Sequence, residues 1–324
     1  MVTSVAAMLP VLLRRLIVIP PLLLAIYTIT FALVWLAPGN PLENPEGRRP
    51  PPEVVEAMQR QYRLDDPVAF YLEYLGKASG VSWVLGDAER PFDLGPSLRQ
   101  PDLGVNEILR GALPVSVTLG AAAMLLAVVM GVVAGTLSGL HPRRWIDALV
   151  QLLAMVGISL PSFVIGAGLL ILFAARLKWF PVGGWGGIRP LVLPAVALSL
   201  PFAATVARLV RVGMIEQMSS EHVRTARAKG LSRARAARDH ALKNAMLPVL
   251  SWLGPATAFA FTGSFVVEKV FAVPGLGRWF VDGVLGKDLT LVMGITLTYG
   301  LIVALLNLAV DLLYAWVDPR IRAG

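Results

Sequence analysis

The stretch "LIVIPPLLLAIYTITFALVWLA" (16–37) carries 22 residues without one charged side chain, directly after Arg14-Arg15. At 1.5 Å per residue a helix of that length crosses a hydrocarbon layer about 30 Å thick. Further apolar runs follow at 113–139, 145–175, 190–213, 247–267 and 289–317. The 324-residue chain is 56% hydrophobic and 15% charged, whereas soluble domains carry about a quarter charged residues. The expected fold class is therefore all-α integral membrane, with six transmembrane helices. A basic start before an apolar run also describes a signal peptide, but 16–37 is too long for that core and no small-residue cleavage pattern follows it. A retained first helix is expected, so the chain divides into 1–37, a polar insert 38–112 and a five-helix core 113–324. The run 145–175 is longer than one crossing needs, and Pro161 predicts a kink in it.

The insert opens with Pro-Gly-Asn-Pro (38–41), which stops a helix. It carries "RRPPPEVVEAMQRQYRLDDPVAFYLEYL" (48–75), the pattern of short amphipathic helices. From Pro38 to Arg110 there are 12 acidic and 8 basic residues.

Basic residues mark the loops that stay in the cytoplasm. Arg14-Arg15, Arg143-Arg144, the region 208–245 with nine Lys/Arg against three acids, and Arg320 and Arg322 all fall on one face if there are six spans. The insert and the 176–189 and 268–288 loops fall on the other. The expected arrangement is multi-pass in a membrane, with both termini cytoplasmic and the insert extracytoplasmic. The net charge of +8 is accounted for by these loops, so no nucleic-acid partner is expected.

There is no cysteine, and the three histidines do not cluster, which leaves no thiolate or Cys/His metal chemistry. No Gly-x-x-x-x-Gly-Lys-Ser/Thr loop is present: Gly286-Lys287 is followed by Asp288, so the chain lacks that phosphate cradle. No His-Glu-x-x-His or Gly-x-Ser-x-Gly occurs, against an intramembrane hydrolase. Gly131, Gly135 and Gly139 recur at four-residue spacing, suited to close helix approach either within the chain or on a subunit-facing or pore-side face. Asp147 lies near a span end. Asp311 with Asn307 reads as a helix-end packing pair rather than a proton relay.

"SSEHVRTARAKGLSRARAARDHALKNAMLP" (219–248) is rich in helix formers. Gly230 interrupts it and Ser232 can cap a second helix, which predicts a helix–turn–helix projection. Such a knob fits a partner's groove, its alanines allowing close approach, or rests on anionic lipid.

This segment resembles the EAA loop of ABC-importer permeases, with Ala226, Gly230, Leu247 and Pro248 at the matching positions. Arg224-Thr225-Ala226 stands where the general motif has Glu-Ala-Ala, and "RTARAKGLS" is similar to the peptide-importer version. "RRLIVIPPLLLAIYTITFALVWLAPGNP", "VVEKVFAVPGLGRWFVDGVLGKD" and "NLAVDLLYAWVDPRIR" resemble B-type subunits of oligopeptide/dipeptide permeases. "DLGPSL", "PVSVTLGAAA" and the glycine-rich 182–187 stretch favour the oligopeptide member; dipeptide, glutathione or nickel systems have similar subunits. The resemblance implies a homologous C-type permease as partner, two ABC ATPase subunits that hold the ATP and Mg, and an extracytoplasmic peptide-binding protein. It implies no cofactor in this chain and no catalytic residue. It assigns ATPase coupling to Arg224, Thr225, Ala226, Ala228, Gly230, Leu231, Leu247 and Pro248.

Overall fold

The computed structural model describes residues 2–37, 59, 63–100, 102–262 and 264–317; side chains at 2–11, 13, 14, 262 and 310–317 are outside that description. Much of the 38–62 part of the insert, the Asp311 side chain, Arg320 and Arg322 therefore lie outside the described residues. No strand occurs among the described residues. The chain forms two compact units, residues 1–115 with 275–324, and residues 116–274.

In the first unit, α1 (Val2–Leu36) packs along α14 (Leu289–Val317). The described part of the insert contributes α2 (Pro67–Ser79) and α3 (Val81–Val84). Asp66 opens α2, its Oδ1 accepting the N–H groups of Val68 and Ala69 at 3.0 Å each. This satisfies two of the donors that a helix start leaves open. Aromatic rings tie α2 to α1: Tyr27 stacks on Tyr74 at 5.9 Å and Phe31 on Phe70 at 6.2 Å. The Tyr27 hydroxyl donates to the Tyr71 carbonyl at 2.7 Å. Burial pushes the Tyr74 phenol well above its ordinary range, and its hydroxyl donates to the Thr290 carbonyl. Asp288, almost fully buried, caps α14 through Leu291 N–H and also accepts from Ser97 Oγ and the N–H groups of Leu98 and Arg99. The end of the insert is thereby pinned to the head of α14. The expected 268–288 loop is substantially helical: α12 (Phe265–Val270) lies in the second unit and α13 (Leu276–Gly286) in the first.

α4 (Val105–Leu140) runs from the first unit into the second. The second unit continues with α5 (Trp145–Ser159), α6 (Ser162–Leu169) ending in a π-helical turn at Leu170–Arg176, α7 (Ile188–Met218) and α11 (Leu247–Thr262). Between α5 and α6 the chain bends by 106°. Leu160, before Pro161, is extended at φ −91°, ψ 128°, as the proline ring demands of its predecessor. The predicted kink is thus a break.

Among the described residues, four helices are long and apolar enough to cross a membrane: Arg15–Leu36, Val105–Leu140, Ile188–Met218 and Leu289–Ala309; the broken α5–α6 pair makes up to five. The expected span at 247–267 is a shorter apolar helix, Leu247–Phe261, and the six-span count is not reached on length. The chain is a multi-pass membrane protein.

The glycine repeat packs within the chain. A side chain at Gly131 would strike Val206 and the Ala203 carbonyl, one at Gly135 Val210 and the Ala207 carbonyl, and one at Gly139 Met214, all on α7. The intersubunit alternative is corrected accordingly: this face is already filled.

Candidate functional site

Residues 219–248 form the predicted jointed knob. α8 (Glu221–Ala228) ends at Gly230, whose φ of +93° is left-handed. Glycine reaches that conformation without the steric cost that a Cβ brings. Ser232 opens the second arm, its Oγ accepting from Arg235 N–H at 3.4 Å. That arm runs as α9 (Arg233–Ala236), a π-helical turn at Ala237–Ala241 and α10 (Leu242–Ala245).

The knob is seated on α7. Val206, Val210 and Met214 of α7 form one buried cluster with Val223, Ala236, Ala237, Ala241, Ala245 and Val249. Gly213 lets α10 lie against α7, since a Cβ there would sit 2.9 Å from the Ala245 Cα. Gln217 and Asn244 share a hydrogen bond at 3.3 Å, and Arg233 Nη2 donates to the Leu140 carbonyl at 2.7 Å.

This orientation corrects one expectation. Ala226, Ala236, Ala237, Ala241 and Ala245 are buried and face the chain's own core, so they are not the contact surface offered outward. Of the eight coupling candidates, Arg224, Thr225, Ala228, Gly230, Leu247 and Pro248 are exposed, Leu231 is half-buried and Ala226 is buried. Leu231 N–H donates to the Ala226 carbonyl at 3.3 Å, closing the joint. Leu247 and Pro248 start α11 with their side chains outward, and their neighbour Val249 enters the core.

The outward face of the knob is basic. Arg224, Arg227, Lys229, Arg233, Arg235, Arg238 and Lys243 are exposed, against Glu221 and Asp239. Arg238 Nε holds Asp239 Oδ1 at 2.7 Å. That hydrogen bond and the Arg238 charge draw the Asp239 carboxyl below its usual range and raise the Arg238 guanidinium.

Two features escaped the sequence reading. Ala237, Ala241 and Ala245 repeat at four-residue spacing, a signal for an inward stripe that was available. Asp147 and Arg211, 64 residues apart, form a bidentate ion pair at 2.6 and 2.9 Å, and nothing local announces it. Arg211 belongs to α7 rather than to a loop. No group of three or more His, Cys, Asp or Glu residues suited to a metal occurs among the described residues.

Residues 127–323 match the family described as binding-protein-dependent transport system inner membrane component, and residues 8–120 match its N-terminal counterpart. Over 318 residues the chain is 43% identical to the oligopeptide transport system permease protein OppB of Escherichia coli K12, covering 97% of this chain and 100% of that one. It is 38% identical over 301 residues to the dipeptide transport system permease protein DppB of Bacillus subtilis 168, covering 93% and 94%. Among solved structures, a crystal structure of an amino acid ABC transporter with histidines aligns at a TM-score of 0.50 and 20% identity, over 64% of this chain and 93% of that one, a likeness of fold alone. Matched along nearly its whole length, the chain belongs to the family of binding-protein-dependent transport system inner membrane components and is an ABC-importer permease subunit.

Proposed function

We propose that this chain is the B-type half of a pore that imports oligopeptides, driven by ATPase subunits that grip residues 219–248. The observation that carries the coupling role is the two-faced knob. Its apolar side is consumed by α7, while Arg224, Thr225, Ala228 and the Gly230 joint stand free on a basic outer side. A rigid projection built on a long membrane helix passes displacement to that helix. ATP binding in the partner then shifts the pore between two states.

The full assembly in this reading holds a homologous C-type permease, two cytoplasmic ABC ATPases that bind ATP and Mg, and an extracytoplasmic peptide-binding protein. Six helical segments cross a bacterial inner or plasma membrane, with the termini and the knob cytoplasmic and the insert outside. This chain holds no cofactor. Oligopeptide cargo is favoured over dipeptide, glutathione or nickel because the higher identity is to an oligopeptide permease, 43% against 38% for the dipeptide one.

The test is reconstitution of all four kinds of subunit in proteoliposomes. Uptake of labelled tetra-alanine that requires ATP and the binding protein is expected, with crosslinks from Ala228→Cys to an ATPase. Uptake of dialanine only moves the cargo to the dipeptide reading. Uptake with no crosslink from any exposed knob position overturns the coupling role.

A further inference from the structure

The Asp147 carboxylate is 2% exposed, yet five donors converge on it. Arg211 supplies Nε at 2.6 Å and Nη2 at 2.9 Å, Ser138 Oγ donates at 2.6 Å, Arg143 N–H at 2.8 Å and Gln151 Nε2 at 3.1 Å. These donors come from the end of α4, the α4–α5 turn, α5 and α7. A buried ion pair is a poor device for stability alone, because an apolar replacement of similar shape often does as well. What it supplies is a defined geometry.

That geometry sits at the root of the knob. Arg211 lies between Val210 and Met214, both fully buried members of the cluster that seats the knob. The same turn of α7 lies against Gly139, where a Cβ would meet Met214 and the Arg211 backbone. The α4–α7 contact therefore needs no salt bridge to stay closed. α5 also packs along α7; the carboxylate fixes the α4–α5 turn and the start of α5 to Arg211, and α5 leads into the 106° break before α6.

We infer that Asp147, held by Arg211, is a positioning residue for energy coupling: it makes the α4–α5 corner move as one body with the 219–248 knob, so that displacement of the knob reaches the broken α5–α6 helix. This rests on the reading of 219–248 as the coupling element.

The complete importer in proteoliposomes tests it. Failure of the unaltered complex to take up tetra-alanine is a failure of the functional reading, independent of the latch. With the unaltered complex active, Arg211→Lys keeps the charge but removes the two-pronged fork, and Asp147→Asn removes the carboxylate charge. Peptide taken up per ATP hydrolysed is expected to fall about fivefold or more, with ATPase turnover within about twofold of the parent, the size of an ordinary allosteric coupling. Uptake and turnover falling together in proportion to assembled protein overturns the inference, as does an unchanged ratio.

Asp147→Asn leaves the half-buried Arg211 without its carboxylate partner, so loss of assembly is a risk there. A distance measurement needs neither variant. The chain has no cysteine, and Trp145 and Glu221 are exposed at the starts of α5 and α8. Spin labels at Trp145→Cys and Glu221→Cys in the otherwise unaltered complex should report one narrow separation that is the same with and without ATP. A separation that changes with nucleotide overturns the inference.

Discussion

Gly230 shows how one residue sets the knob's shape. Its φ is +93°, and nothing lies within 4 Å of where a Cβ would stand, so space is not the constraint. Backbone conformation is: a left-handed residue with a Cβ costs about 1–2 kcal/mol. Gly230→Val should therefore lower uptake while the protein still reaches the membrane, and Gly230→Asn, which tolerates that region better, should retain more of it. Parallel assays of uptake and membrane abundance check this; equal uptake in the Val variant and the parent contradicts the joint's role. Gly213 is the opposite case, an ordinary helical residue with no room. Gly213→Val drives a side chain into Ala245, and overpacking of this kind costs about 1–3 kcal/mol. Faster amide exchange across 221–245 is expected, with exchange in α1 unchanged.

Among elements, α4 and α7 approach each other backbone to backbone. Three glycines four residues apart bring α4 onto the α7 backbone, where Ala203, Ala207 and Arg211 offer carbonyls. In lipid there is no hydrophobic drive between helices, so close backbone approach and van der Waals contact hold them. Gly135→Leu should separate the two helices and reduce assembled protein, whereas Val133→Leu, at an exposed position of the same helix, should leave abundance unchanged. Quantifying detergent-extracted protein by size-exclusion chromatography distinguishes the two. The kink at Pro161 was legible because proline restricts its neighbour locally. The 106° turn was not, since the direction of the next segment depends on what α6 packs against, including α7 and α12.

At the scale of the whole molecule, orientation is the quantity to measure. The absence of cysteine gives background-free labelling. Ala228→Cys should react with a membrane-impermeant maleimide only once the cytoplasmic side is opened, and Val84→Cys, on the insert, only from the outer side. Reaction of Ala228→Cys in sealed right-side-out vesicles contradicts the importer arrangement. Purified alone, the chain should hydrolyse ATP no faster than a protein-free control in a phosphate-release assay.

The sequence by itself determined where the chain is apolar enough to enter lipid and where it is basic. It also marked where the 219–248 segment bends, because apolar length, glycine and a serine cap act over a few neighbouring residues. The tertiary structure alone decided that Asp147 meets Arg211, that the glycine face is filled by α7, and that Ala226, Ala236, Ala237, Ala241 and Ala245 of the knob point inward. A helix in a membrane is apolar nearly all round, so its periodicity does not say which side meets protein. That choice is made by the shapes of helices far apart in the chain.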